Sequence, residues 1–240
     1  MVHENSAFRP VVRQHAADGI FEQLAASILR GDLAPSSPLP PERVLGEQFG
    51  VSRMILRQAV HRLVDVGLVR VRQGGASVVL DPREATDLRL LGLYYRLDPG
   101  GELARSIHRD VIEKQFLQGL SLVDVCARRG TSANKKKLTA MADAFEARTR
   151  AQLEAFEEKF WREVARIGKN RIFEMEVGWW YDALADARPQ VEPTATLAER
   201  VAFYRELARR IADADGATQY YLAVVSPQLD ALFAKKKVGS

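Results

Sequence analysis

Arginine side chains at helical spacing are the residues of this 240-residue chain best placed to do chemistry. Arg53 and Arg57 lie four positions apart, so a helix that begins after Ser52 presents both guanidinium groups on one face. Arginine reads the O6 and N7 atoms of guanine bidentately or clamps phosphate oxygens. Met54 stands between the two arginines. This spacing predicts a surface that contacts double-stranded DNA.

Further basic and small polar residues surround this predicted helix. Arg43 lies in the first turn of the preceding predicted helix, where it can meet the DNA backbone. Arg72, Gln73 and Gly74 lie in a predicted hairpin, whose tip can enter the minor groove or rest on phosphates. Residues 40–80 contain six arginines and three acidic side chains, and so carry most of the chain's net charge of +4. Each arginine alone is typical of a solvated surface, but the combination favours nucleic-acid binding.

The elements that must position these residues are predicted from apolar periodicity and from helix-ending residues. Apolar side chains recur every four residues over 11–30, which predicts a helix with one buried face. Pro41 suits the first turn of a second helix, and Ser52 suits the cap of a third. Two β-prone runs flank Gly74-Gly75, which is typical of a hairpin. The predicted order is helix, helix, helix and hairpin, over residues 11–30, 41–50, 52–66 and 68–80.

Beyond about Leu88 the whole pattern is helical, with breaks expected at glycines such as Gly119. The predicted helices cover residues 102–120, 122–128, 134–149, 152–167, 172–187, 195–214 and 217–235. The predicted fold is therefore mainly α. It has a winged helix-turn-helix domain with a small β-hairpin wing over 1–80, a linker over 81–88, and an antiparallel bundle of about seven helices over 89–240.

Composition excludes several classes of protein. With 47% hydrophobic and 28% charged residues, the chain resembles neither a disordered nor a fibrous protein. No run approaches the ~18 apolar residues of a membrane span, and the first residues lack a secretory pattern. Cys126 is the single cysteine, so no internal disulfide forms. We therefore expect a cytoplasmic protein with no membrane partner.

The chain lacks the motifs of common enzymes. It contains no G-x-S-x-G, Walker or H-E-x-x-H sequence. The acidic pair Glu157-Glu158 lies on a predicted amphipathic helix, where solvated charge is the expected state. We therefore expect a protein that is not an enzyme.

One stretch of the first domain carries a family pattern. Its residues are Leu39-Pro40-Pro41-Glu42-Arg43, Gly50-Val51-Ser52-Arg53, Leu56-Arg57, Leu63, Gly67-Leu68-Val69 and Arg72-Gln73-Gly74-Gly75. This pattern resembles the winged-helix domain of GntR-family bacterial transcription regulators. The resemblance implies contact with operator DNA from Arg43, Ser52, Arg53, Arg57, Gln73 and Gly74. Met54 departs from the pattern, which commonly has threonine there, so the operator is expected to differ at the position that Met54 faces.

The helical region resembles the FadR-type branch of that family. The matching stretches are Arg109-Asp110-Val111-Ile112-Glu113, Phe156-Glu157-Glu158-Lys159-Phe160-Trp161 and Gly168-Lys169-Asn170. Many members of the branch hold a metal with one aspartate and three histidines. The corresponding positions here are Glu157, Trp161, about Tyr204 and about Ser226, and none of the last three is histidine. The resemblance therefore implies no bound metal and no other cofactor.

Two shorter stretches resemble the metal-less, fatty-acid-responsive type of this branch, over residues 160–172 and 202–207. This resemblance implies a fatty acid or acyl-CoA as effector. Arg109 is the residue expected to anchor the anionic group of the effector. The aromatic residues expected around the acyl chain are Trp161, Trp179, Trp180, Tyr181, Phe203 and Tyr204. Aromatic residues at helical spacing are also ordinary core residues, and Arg109 could instead pair with Glu113.

These inferences predict a ligand-responsive transcription regulator, expected to repress, that binds a palindromic operator as a homodimer. Two alternatives stay open. One is a regulator of the same class that responds to a small carboxylate metabolite. The other is a metabolite-binding protein whose winged domain contacts other proteins. Only the regulators should bind duplex DNA in a strongly salt-dependent way.

Overall fold

The computed structural model describes residues 15–72, 76–98, 100–183 and 195–234. Over these residues the chain forms ten α-helices and one two-stranded antiparallel sheet, which confirms the predicted mainly α fold. Packing divides the chain into two compact units, Met1–Ala104 and Arg105–Ser240.

The first unit begins with three helices and a short hairpin. Their bounds are α1 His15–Leu29, α2 Glu42–Phe49, α3 Arg53–Asp65, β1 Val69–Arg70 and β2 Val78–Val79. Helices α1 and α3 pack on each other, and their buried side chains include Ile20, Leu24, Leu56 and Leu63. Burial of each such side chain stabilises the unit by about 1.5–3 kcal/mol relative to exposure.

The turn between α2 and α3 has helix-turn-helix spacing, as predicted. Gly50 ends α2 in the left-handed conformation, with φ 64° and ψ 34°, which glycine adopts without steric cost. The Val51 amide donates to the Gly46 carbonyl at 3.0 Å. Ser52 has an extended backbone and begins α3. The chain therefore reverses within three residues and keeps α3 against the unit's core.

The predicted hairpin is also present. Val69 pairs with Val79, and Arg70 pairs with Val78, in an antiparallel register. Pro38, in the loop before α2, forms an additional antiparallel bridge to Val78. The predicted turn residues Gly74-Gly75 lie outside the described residues.

A helix that the sequence analysis did not assign follows the hairpin. This helix, α4, covers Arg89–Leu97 and packs against α1. The Tyr94 hydroxyl donates to the Pro82 carbonyl at 2.8 Å, and the Arg89 guanidinium donates to the Asp65 carbonyl at 2.6 Å. By packing, α4 lies in the first unit. The domain boundaries drawn from the sequence, at 80 and 88, stay a prediction.

The second unit is helical over the residues described. Its helices are α5 Glu102–Arg129, which starts at the end of the first unit, α6 Ser132–Asp143, α7 Arg150–Gly168, α8 Arg171–Ala183, α9 Leu197–Asp213 and α10 Ala217–Ala234. Helix α6 packs against α9, α7 against α8, and α9 against α10. Among the described residues, no helix is both long and apolar enough to cross a bilayer.

Helix α5 corrects the predicted break at Gly119. The sequence predicted two helices, over 102–120 and 122–128, whereas the structure has one continuous helix. Gly119 is needed for close packing, because a Cβ atom there would lie 2.1 Å from the Tyr221 hydroxyl oxygen of α10. That hydroxyl donates to the Phe116 carbonyl at 3.3 Å. A glycine that looked like a helix end is therefore the place where two helices approach closely.

Candidate nucleic-acid interface and effector site

The first turn of α3 forms the candidate nucleic-acid interface. The Ser52 hydroxyl accepts a long hydrogen bond from the Ile55 amide at 3.5 Å, so Ser52 caps the helix as predicted. Leu56 is buried against the core, which turns the neighbouring positions outward. Arg53 and Arg57 are exposed, and Met54 is 71% exposed. The structure thus places all the predicted α3 contact residues on one accessible end of this helix.

Arg53 and Arg57 have no ion pair with any carboxylate in the part of the chain that the structure describes. Arg72, next to the hairpin, is also exposed and is without an ion pair to the described residues. These side chains are free to meet an external anion. Gln73 and Gly74, predicted to contact DNA from the wing, lie outside the described residues.

Two other arginines of the basic stretch are engaged within the fold. Arg43 donates to Glu47 at 2.8 Å, one turn along α2, although both side chains stay exposed. Arg62, on α3, donates to Asp18 of α1, and its guanidinium lies 4.3 Å from the centre of the Phe21 ring. Arg62 therefore fastens α3 to α1, so its charge, counted with the basic stretch above, serves the fold.

A second cluster lies in the helical unit, between α7 and α9. Glu157 on α7 forms an ion pair with Arg200 on α9, and Tyr204 lies close to this pair. The Glu157 side chain is only 13% exposed and that of Arg200 32%. The Trp161 ring meets the Tyr204 ring edge-on, with the two ring centroids 6.4 Å apart. We call these four residues the polar centre.

Burial dominates the acid–base properties of the polar centre. It raises the pKa of Glu157, because desolvation outweighs the opposing effects of Arg200 and of the nearby Tyr204 hydroxyl. Burial also raises the pKa of Tyr204 well above its ordinary value, and the nearby Glu157 charge adds to this. The Tyr204 hydroxyl therefore stays protonated beside the Glu157 carboxylate.

A cluster of aromatic rings packs beside the polar centre. The Tyr204 ring meets those of Phe160, Phe203 and Trp161 edge-on, with centroids 4.9, 5.0 and 6.4 Å away. Phe203 stacks on Tyr220 at 5.8 Å. Such contacts are worth about 0.5–1.5 kcal/mol each beyond the area they bury. The cluster is thus part of the core as well as a lining for the polar centre.

The structure brings together some of the predicted effector residues. Trp161, Phe203 and Tyr204 are in mutual proximity around the polar centre. Tyr181 is partly buried, with the Arg162 guanidinium 5.6 Å from its ring centre. Trp179 and Trp180 are half-buried on α8, and Arg109 is exposed on α5. The contact of these residues with an effector stays a prediction.

Arg200 was not among the predicted site residues, and the prediction that Glu157 is solvated was wrong, because its side chain is only 13% exposed. Glu158 does pair in the expected way, with Arg162 one turn along α7 at 2.9 Å. A usable signal was present, because Glu157 precedes Trp161 by four residues and Arg200 precedes Tyr204 by four. Each helix therefore presents one charged and one aromatic side chain on the same face.

A metal does not fit the residues at the polar centre. The indole of Trp161 is a donor only, the Tyr204 hydroxyl holds its proton, and the Glu157 carboxylate already faces the Arg200 cation. Within the described residues no three His, Cys, Asp or Glu side chains converge. The absence of a metal stays a prediction, and the donor chemistry favours it.

A groove of about 420 Å³ lies elsewhere in the same unit, between α5 and α8. Lys114 donates to the side-chain oxygen of Gln118 at 2.9 Å, and the Gln118 amide donates to Glu176 of α8 at 3.3 Å. Leu117 and Phe173 supply apolar surface beside this chain of hydrogen bonds.

Known proteins resemble this chain in sequence. The family model described as "Bacterial regulatory proteins, gntR family" matches residues 16–79. The HTH-type transcriptional regulator Mce2R of Mycobacterium tuberculosis is 39% identical over 124 residues, which are 51% of this chain and 50% of that protein. The chain's match thus spans half the length of that relative.

Other relatives match over longer stretches. Rv0494 of M. tuberculosis, named as an HTH-type transcriptional regulator, is 31% identical over 179 residues, or 74% of this chain and 72% of that protein. The HTH-type transcriptional repressor NanR of Cronobacter sakazakii is 30% identical over 243 aligned positions, or 95% and 91% of the two chains.

A solved structure shares the fold. It is described as "Lar controls the expression of the Listeria monocytogenes agr system and mediates virulence", is 16% identical, and superimposes with a TM-score of 0.55 over 95% of this chain and 98% of the other. The relatives are named as regulators rather than enzymes, in agreement with the sequence analysis. The chain therefore belongs to the GntR family of bacterial regulatory proteins.

Proposed function

We propose that this chain is a DNA-binding transcription regulator that inserts the first turn of α3 into the major groove of its operator. The observation that carries the proposal is the pair Arg53 and Arg57, exposed on a capped helix and without an internal carboxylate among the described residues. In helix-turn-helix proteins the N-terminal residues of the second helix contact base edges. We expect Arg72, which is exposed beside the hairpin, to contact the DNA backbone.

The DNA-binding proposal is tested by enrichment of bound duplexes from a pool of random sequence, followed by titration of one enriched duplex at several salt concentrations. Affinity should fall steeply with salt, with a logarithmic slope of about 0.9 for each phosphate that the protein neutralises. Failure to enrich any sequence, or an affinity indifferent to salt, would favour the alternative in which the winged domain contacts other proteins.

For the effector we propose a fatty acid or acyl-CoA, with the polar centre as its anchor. Arg200 is the supporting residue, because its side chain remains 32% exposed although it pairs with Glu157. A ligand carboxylate or phosphate could share this cation, while the rings of Trp161 and Phe203 suit an apolar chain. Effector binding would alter operator affinity only by favouring one arrangement of the protein over another. We expect repression that the effector relieves.

A second candidate effector is a small sugar-derived carboxylate. The supporting observation is a relative named as the mannosyl-D-glycerate transport/metabolism system repressor MngR of Escherichia coli, 40% identical over 80 residues. That match covers 33% of this chain and 31% of that protein.

Two experiments distinguish the candidate effectors. The first is native mass spectrometry of the purified protein, and the second measures whether added compounds release the bound duplex. A lipid or CoA adduct, and release by palmitoyl-CoA, would support the first candidate. Release by mannosyl-D-glycerate alone would support the second. A zinc or nickel mass would contradict the metal-less polar centre.

We further propose that two copies pair to match a palindromic operator, through the face formed by α5 and α8. Leu117, Ile172 and Met175 are exposed there, at 52%, 62% and 56%. Lys114 and Glu176 provide both signs of charge beside these side chains.

Leu117→Glu should convert the dimer to a monomer in sedimentation experiments. Leu88→Glu, at an exposed apolar residue of the first unit, is the control and should leave the dimer intact.

A further inference from the structure

The geometry points to Met54 as a residue that selects thymine in the operator, through contact with the C5-methyl group of the base. This inference rests on the proposed function and deepens it, because it names a base that the protein distinguishes.

The first observation is the position of Met54 on α3. It precedes the buried Leu56 by two residues, which turns it about 200° around the helix axis, away from the core. Its side chain is 71% exposed, and the exposed Arg53 and Arg57 flank it. Met54 therefore stands in the turn of the helix that enters the groove, between two cations without internal partners in the described part of the chain.

The second observation is the chemistry of the side chain. Methionine has no hydrogen-bond donor and only a weakly accepting sulfur, so it binds phosphate and polar base edges poorly. The major groove presents one apolar group, the thymine methyl. Contact between that methyl and the Met54 side chain removes apolar surface from water on both partners. The arrangement thus favours thymine over cytosine or uracil at the facing position.

Exposure alone does not set Met54 apart, because isolated exposed apolar residues are common on protein surfaces. Leu88 is 62% exposed in the same unit, but it lies outside α3. It serves as the matched comparison, since it differs from Met54 mainly in location.

The test uses the full chain and a duplex enriched from a random pool. Each thymidine of that duplex is replaced in turn by deoxyuridine, which removes only the C5-methyl group. For the wild-type protein we expect one position in each half-site where this replacement weakens binding about fourfold, the value of one buried methyl group.

Three variants identify the side chain responsible. Met54→Ser, which has no methyl group, should bind the two duplexes equally, Met54→Leu should keep most of the discrimination, and Leu88→Ser should behave as the wild type. If no thymidine position separates the wild type from Met54→Ser, the inference is overturned while the proposed function stands. If neither the wild type nor Leu88→Ser binds any enriched duplex, the proposed function fails and this inference fails with it.

Discussion

The exposed face of α3 and the interface between α7 and α9 use arginine in opposite ways. On α3, Arg53 and Arg57 extend into solvent with no carboxylate partner among the described residues. Between α7 and α9, Arg200 is held by Glu157, and towards α8, Arg162 is held by Glu158 and Asp182 at 2.9 and 2.6 Å. The first region has cations without an internal partner, whereas a ligand anion in the second would have to share a cation that is already balanced internally.

This difference separates arginines that are available only for binding from arginines that also stabilise the fold. A charge without an internal partner adds little to the free energy of unfolding but is ready to neutralise a phosphate. A paired and partly buried charge must be balanced for the fold to be stable. Arg62 shows that the distinction does not follow helix membership, because it lies on α3 and yet pairs with Asp18.

The largest effect on stability is expected at the polar centre. Arg200→Met leaves the Glu157 carboxylate without its cation. It should lower the free energy of unfolding by about 3 kcal/mol, the lower end of the decrease found when one partner of a buried ion pair is removed. The double variant Glu157→Gln, Arg200→Met should recover most of this stability. Urea unfolding at pH 7 measures both.

Arg128→Met is the matched control for that experiment. Arg128 pairs with Asp124 one turn along α5, but their side chains are 62% and 43% exposed. An exposed pair of this kind contributes about 0–1 kcal/mol. Equal decreases in stability in Arg200→Met and Arg128→Met would contradict a distinct role for the polar centre.

A smaller effect is expected at Arg62, which tests the comparison within a single helix. Arg62→Ala removes an ion pair and a contact with the Phe21 ring, both partly exposed, and should lower the free energy of unfolding by about 1 kcal/mol. It should leave duplex affinity near the wild-type value. Arg57→Ala should show the reverse pattern, with weaker duplex binding and near wild-type stability. Thermal unfolding and duplex titration of both variants measure the two effects.

The smallest expected effect is the pH dependence due to Glu157. Burial raises its pKa in the folded protein, so the folded state binds more protons between the ordinary glutamate pKa and the raised value. Its contribution to stability is therefore complete below the ordinary pKa and is lost as pH rises through the raised one. The limit is about 1.4 kcal/mol per pH unit.

Unfolding of the wild type and of Glu157→Gln between pH 4 and 8 isolates this contribution, because other groups titrate in both proteins. The difference in unfolding free energy, wild type minus variant, should fall as pH rises across the window. A difference that rises with pH would mean that the ion pair with Arg200 outweighs desolvation and lowers the Glu157 pKa.

The sequence predicted much of the first unit because its signals are local. Gly50 and Ser52 mark the turn and the cap, and apolar periodicity marks the buried faces of α1 and α3. Helix α4 was not predicted, although the spacing of Leu90, Leu93 and Tyr94, which the structure buries, is helical. Its packing on α1 was not readable, because that contact joins segments distant in sequence.

The second unit was harder to predict for the same physical reason. Gly119 looked like a helix end, but the Tyr221 ring, about a hundred residues away, occupies the space beside it. Glu157 looked solvated, but Arg200 and Tyr204 arrive from another helix and allow its burial. Residue types predict local conformation, whereas burial of a charge depends on partners that only the fold supplies.

The most direct test of the central claim, that the exposed end of α3 binds operator DNA, is a salt titration of duplex affinity for Arg53→Ala, Arg57→Ala and the control Arg128→Ala. We expect each α3 variant to bind the enriched duplex more weakly by between about 5-fold and 150-fold, which corresponds to about 1–3 kcal/mol for a base contact. A variant whose arginine contacts phosphate should also show a salt slope reduced by about one. Arg128→Ala should match the wild type. Wild-type affinity and slope in both α3 variants would contradict the account.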